Sequence, residues 1–169
     1  MTNVKHPSAV DPAIELDAAG KLWLAGGKVL QVVRATDATD RSTTSTSFVD
    51  VTGMSVTITP QKSTSAVIIV ATFDFLGITP AGTNLVGNAQ IADSSNNEIN
   101  GANNCRLQIN ASASVTALGI PCNIWGYATP ATTSAVTYKL RFRVSGGTSI
   151  NIANGSNQRG QMFAIEVSA

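Results

Sequence analysis

Charge is what this sequence has least of. Only 12% of its 169 residues are charged, and eleven basic against ten acidic residues leave a net charge of +1. An ordinary globular domain carries about 25%. A chain this poor in charge offers no footprint for a phosphate backbone, whose binding depends on clustered Lys and Arg, so nucleic acid is not an expected partner. Long hydrophobic runs are also missing: hydrophobic residues reach 43%, yet no stretch approaches the roughly 20 uninterrupted apolar residues of a membrane span. A soluble chain with no membrane partner is expected. The opening Met1 to Pro7 has no apolar core of a secretion signal, which points to synthesis and assembly in a cytoplasm. Histidine occurs once, as His6, without the context of a triad or a metal site. No G-x-S-x-G elbow surrounds any serine, and Asp74, Asp93, Glu98 and Glu166 are too scattered to nominate as the paired carboxylates of glycan hydrolysis. No enzyme and no cofactor are expected.

Cysteine is limited to Cys105 and Cys122, which do not form a metal-type CxxC pair. Cys105 alternates with Leu107 and Ile109 and reads as a small buried hydrophobe on a strand; cytoplasmic assembly makes a disulfide the lesser option. Two acidic groups, Asp37 with Asp40 and Asp50, and Asp93 with Asn96, Asn97 and Glu98, are the only candidates for a hard cation. Neither has the spacing of a calcium loop, and turn formation by their side chains is the favoured reading, so no metal is assigned.

What fills the chain instead is Ser, Thr, Asn and Gly between short apolar runs that alternate with period two, the mark of half-buried strands. Residues 29–35, 48–51 and 54–59 are such runs, with Thr52 and Gly53 splitting the second from the third. Residues 37–46 read as a loop or twisted edge. Residues 65–76 read as a central strand: Val67, Ile69, Ala71, Phe73 and Phe75 share one side, while Ile68 and Val70 make its first half apolar on both. Runs at 84–93 and 99–110 flank Asp93 to Asn97, a turn-forming cluster that predicts a hairpin. Pro121 marks residues 115–127 as an edge strand or the site of a bulge. Tyr138, Leu140, Phe142 and Val144 alternate with Lys139, Arg141 and Arg143, a basic row expected to face water or pair with acids on a neighbouring strand. Residues 149–153 and 161–167 close the chain, with Phe163, Ile165 and Val167 on one side of the last. No window shows helical spacing. The pattern predicts an all-β, antiparallel two-sheet β-sandwich of the jelly-roll type over residues 28–169.

Residues 1–27 differ. Two brief runs, Ile14 with Leu16 and Leu22-Trp23-Leu24, lie between Pro and Gly breakers and cannot form a core of their own. This short extended leader reads as an anchor, with Trp23 as the residue most expected to be buried against a partner. In the body, Trp125 and Tyr127 share a strand face, where core or subunit contact is favoured over a sugar platform.

Gly27-Lys28-Val29-Leu30-Gln31-Val32, then Thr46-Ser47-Phe48-Val49-Asp50-Val51-Thr52-Gly53-Met54-Ser55-Val56-Thr57-Ile58-Thr59-Pro60, then the aliphatic strand from Ser65, together carry a resemblance. The chain resembles the β-sandwich domains of tail fibres and other virion proteins of tailed bacteriophages and prophages, with their "GxVLQV" opening, Ser/Thr tract and "SFVDVTGLSVTITP" segment. Asp11 to Leu22 is similar to the short segments that lead into such domains. The likeness spans roughly residues 11–76 in motif and the remainder in style; Met54 replaces the usual Leu, which packing tolerates, and Ala66 stands where Lys is frequent. The resemblance implies a virion structural protein, assembled in the host cytoplasm as a homotrimer and docked to other phage virion proteins of capsid or tail through its N-terminus. It leaves contact with a host-surface polysaccharide open. Capsid decoration and a carbohydrate-binding module are the rival placements.

Overall fold

The computed structural model describes residues 14–16, 22–24, 28–99, 102, 104–110, 116–155 and 158–168, the first two segments by their backbone alone. They form twelve β-strands: β1 (Ile14–Leu16), β2 (Leu22–Leu24), β3 (Val29–Asp37), β4 (Arg41–Thr43), β5 (Val49–Ile58), β6 (Ala66–Thr79), β7 (Asn84–Asp93), β8 (Cys105–Asn110), β9 (Thr116–Ala128), β10 (Val136–Gly146), β11 (Ile150–Ile152) and β12 (Gly160–Val167). The described residues contain no helix, and so none long and apolar enough to cross a membrane.

The eight long strands pair concentrically. β7 pairs with β8, β6 with β9, β5 with β10 and β3 with β12, all antiparallel. The chain is thus one long ribbon folded back at the β7–β8 turn and then wrapped so that its paired strands alternate between two sheets. One sheet runs β5-β10-β7-β8; the other runs β3-β12-β6, with β9 on the far side of β6. This is the expected jelly-roll sandwich. Short β11 continues beside β6 at Phe75–Gly77 in register, beyond the part of β6 that β12 covers, and carries β4 on its outer edge.

Period-two burial explains why the sheets stack. Val67, Ile69, Ala71, Phe73 and Phe75 of β6 face Leu85, Ala89 and Ile91 of β7 and Tyr138, Leu140, Phe142 and Val144 of β10 in one continuous core. Phe73 and Phe75 meet edge to face with ring centroids 5.8 Å apart, a favoured aromatic geometry. The sheets come close enough at Gly87 that a Cβ there would lie 2.5 Å from the Ile150 side chain and 2.9 Å from Phe75; only glycine fits.

Three expectations change. Thr52 and Gly53 do not end a strand: β5 runs through them, the ladder with β10 slips between Lys139 and Arg141, and Gly53 takes φ 89°. The break in alternation is therefore a bulge inside one strand, where positive φ suits glycine. The hairpin around residues 93–97 exists, but its second strand starts at Cys105 and not near Ile99. Asp93 holds the turn by accepting from the backbone N–H of Ser95 (2.8 Å) and Asn97 (2.9 Å). Cys105 is not a free buried thiol: it is joined to Cys122 by a disulfide, with Cα atoms 6.5 Å apart. Alternation placed Cys105 on the inner face of β8, and the same rule on β9 places Cys122 inward, so the two meet across the sandwich; sequence spacing alone could not show that.

Candidate interaction face

The two outer faces of the sandwich differ in chemistry. On the β5-β10-β7-β8 sheet the basic row is answered by Asp50 of β5: Lys139 Nζ and Arg141 Nε each lie 2.8 Å from its carboxylate, and an Arg141 terminal nitrogen donates to the Phe48 carbonyl at 2.6 Å. Partial burial opposes ionisation of Asp50, but the Lys139 and Arg141 hydrogen bonds and charges outweigh it and hold its carboxyl below the ordinary 3.8. Arg143 lies over the Phe48 ring, 4.6 Å from its centroid, a cation–π geometry. Two of the row's three charges thus pair with an acid on the neighbouring strand, one of the two arrangements expected of it, and the third stacks on a ring.

The opposite face is apolar. Register carries Val32 of β3 across to Ile165 of β12, Ile68 of β6 and Tyr127 of β9. The next row reads Arg34, Phe163, Val70 and Trp125. Beyond it lies a polar row, Thr36, Gln161, Thr72 and Asn123, and on the other side Val29 pairs with Val167. Val29 (59%), Val32 (55%), Trp125 (54%) and Tyr127 (55%) are the most exposed large hydrophobic residues described. Four strands at about 4.8 Å and two full rows at about 7 Å make a patch roughly 15 Å on a side. Singly exposed apolar residues are normal, but a contiguous set rimmed by polar residues marks an interaction surface.

Alternation identified Trp125 and Tyr127 as sharing a face and left core or subunit contact as the favoured role; the structure places both rings outside the core. It also turns the apolar side of β12 outward: Met162, Ala164 and Glu166 are buried, while Phe163, Ile165 and Val167 stand half-buried on the outer face. Sequence reasoning missed Val32, Phe163 and Ile165 as surface residues because hydrophobic alternation tells which residues share a side and not which side is inside. The leader candidates Ile14, Leu16, Leu22, Trp23 and Leu24 form the β1–β2 ribbon, pairing Ile14 with Leu24, Glu15 with Trp23 and Leu16 with Leu22; their side chains, and His6, lie outside the described residues.

The acidic candidates are each engaged within the fold. Asp37 receives Arg41 at 3.4 Å, Asp40 accepts from Gly155 N at 2.6 Å, and Asp50 belongs to the other sheet, so the three do not converge. Burial opposes ionisation of Asp93, but hydrogen bonds from Asn97 and Ser95 keep its carboxyl below the ordinary value. Among the described residues no three His, Cys, Asp or Glu are grouped to hold a metal ion. A depression of about 290 Å³ is lined by Asp40, Arg41, Ser42, Leu76, Asn151 and Ala153, with the Asp40 carboxylate accepting from Gly155 N.

No protein-family model matches the chain, and no curated protein matches it. Among solved structures, it is similar to one described as the structure of infectious bursal disease virus Gx strain, at 18% identity and a TM-score of 0.31, over 94% of this chain and 42% of that one. The chain thus spans less than half the length of that neighbour.

Proposed function

We propose that this chain is a structural component of a bacteriophage particle, a non-catalytic jelly-roll module that assembles with copies of itself and docks through residues 1–27. The resemblance of residues 11–76 to the β-sandwich domains of phage tail fibres and related virion proteins carries this reading. The structure supports it physically: one outer face is dressed for water by paired charges, while the other holds an apolar patch that a solitary soluble domain has no use for. Within the particle, a tail-fibre position with a threefold assembly is the placement we adopt, and capsid decoration is the alternative. A glycan-binding role for the same module is favoured by one observation, the two exposed rings of Trp125 and Tyr127 on one strand face.

The test is antibody labelling of purified phage particles under the electron microscope. Label on the tail is expected; label on the head shell selects decoration; particles that carry no label, with no peptide of this chain in their mass spectra, refute the virion reading. Adsorption to host cells by particles carrying Trp125→Ala reads the glycan role, which falls if adsorption is unchanged.

A further inference from the structure

The geometry points to a specific contact between copies of this chain: the β3 edge of the apolar face packs against the β9 edge of the same face on a neighbouring copy. This deepens the assembly reading by naming the partner of the patch. The two edges are complementary row by row. Val32 stands at the β3 end of the row that Tyr127 ends on β9, and Arg34 stands at the β3 end of the row that Trp125 ends. A rotation axis parallel to the strands keeps rows aligned and brings the β3 end of one copy to the β9 end of the next. Val32 then meets the Tyr127 ring, and the Arg34 guanidinium meets the Trp125 face, the strongest of the cation–π partners.

The same axis keeps like charges apart. Arg34 is the only charged residue in the two apolar rows; within one chain its guanidinium lies over the Phe163 ring, 5.8 Å from the centroid, and its position is three strand spacings, about 14 Å, from Trp125. The two positions therefore cannot touch in cis, and their pairing is available only between copies. Half-buried Ile165, Ile68 and Phe163, with Val70 beneath them, fill the middle, where desolvation is most complete. Tryptophan, tyrosine and arginine are the residue types enriched among interface hot spots. A twofold axis closes the contact face on face, and a threefold axis closes it as a prism with the apolar faces inward; both use the same two pairs. The exposed surface of Val29, Val32, Trp125 and Tyr127 amounts to about 400 Å², to which the half-buried centre adds; this is smaller than the roughly 800 Å² per partner of a standard interface, so the two row-end pairs must carry much of the affinity.

The experiment uses the full chain, with mass read by sedimentation and light scattering and folding read by circular dichroism. The wild type is expected to be an oligomer at micromolar concentration. Arg34→Glu is expected to weaken association at least tenfold, and Thr36→Glu, on the same face in the polar row, to leave it unchanged. Combining Arg34→Glu with Trp125→Arg is expected to restore association, because the new ion pair forms only between copies. As a second measurement, Arg34→Cys with Trp125→Cys is expected to give a covalent oligomer that reductant dissolves. A monomeric wild type, association that ignores Arg34→Glu, or no recovery in the double variant together with no cross-link would each overturn the contact. A monomer found on particles sinks this inference and leaves the virion reading standing; an oligomer absent from particles does the reverse.

Discussion

Replacing Glu166 by Gln should destabilise the protein by about 2 kcal/mol at neutral pH, by a mechanism that pH can isolate. Glu166 is 0% exposed and lies at the end of β12, under the turn that joins β5 to β6. One carboxylate oxygen accepts from Gln31 Nε2 at 2.6 Å; the other accepts from the backbone N–H of Gln61 at 2.8 Å and of Lys62 at 3.3 Å. A single carboxylate thus ties β3, the last strand and the β5–β6 turn together. Hydrogen bonds to a charged group contribute roughly 1.5–3 kcal/mol each. The two short bonds set the upper limit, and water reaching the exposed turn in the variant recovers part of the loss, which leaves about 2 kcal/mol. The amide would also aim a donor at donors on one side or the other.

Burial opposes ionisation of Glu166, but the hydrogen bonds from Gln31 and from the turn backbone at Gln61 and Lys62 outweigh it and hold its pKa below the ordinary 4.5. A carboxyl whose pKa is depressed on folding contributes stability above its unfolded value and loses it as pH falls through its folded value. The difference between wild type and Glu166→Gln should therefore be full at pH 7 and shrink below about pH 4.5. Asp50 and Asp93, also depressed, titrate in both proteins and cancel in the comparison. Urea midpoints followed by circular dichroism at pH 7 and pH 3.5 measure this. An equal difference at both values would refute the reasoning, since it would mean that shape and not charge made Glu166 necessary.

Two further outcomes follow from the core and the cross-sheet link. Reducing Cys105–Cys122, which closes a loop of separation 17, should cost about 3 kcal/mol; a melting temperature unchanged by reductant would argue against the link. Gly87→Ala should cost roughly 1–3 kcal/mol by forcing a methyl into Ile150 and Phe75, and a variant as stable as the wild type would show that the sheets are looser there than described.

Period-two alternation, turn chemistry and sparse charge were enough to reach the fold class, because they are local properties of the chain. The central role of β6, the edge position of β9 announced by Pro121, and the pairing of the basic row with an acid were all legible in this way. The turn at Asp93 was legible too, since its side chain needs only residues two and four places along. Which strands become neighbours was not, because pairings such as β3 with β12 join positions more than 120 residues apart, and nothing local encodes them. Three decisions belonged to the tertiary structure alone. The meeting of Cys105 with Cys122 required both sheets to be in place. The burial of Glu166 depended on a distant turn and on Gln31 to satisfy its charge. The outward turn of Phe163, Ile165, Trp125 and Tyr127 depended on which face of an apolar strand the second sheet happened to cover, and it is this choice that leaves the protein an exposed apolar face.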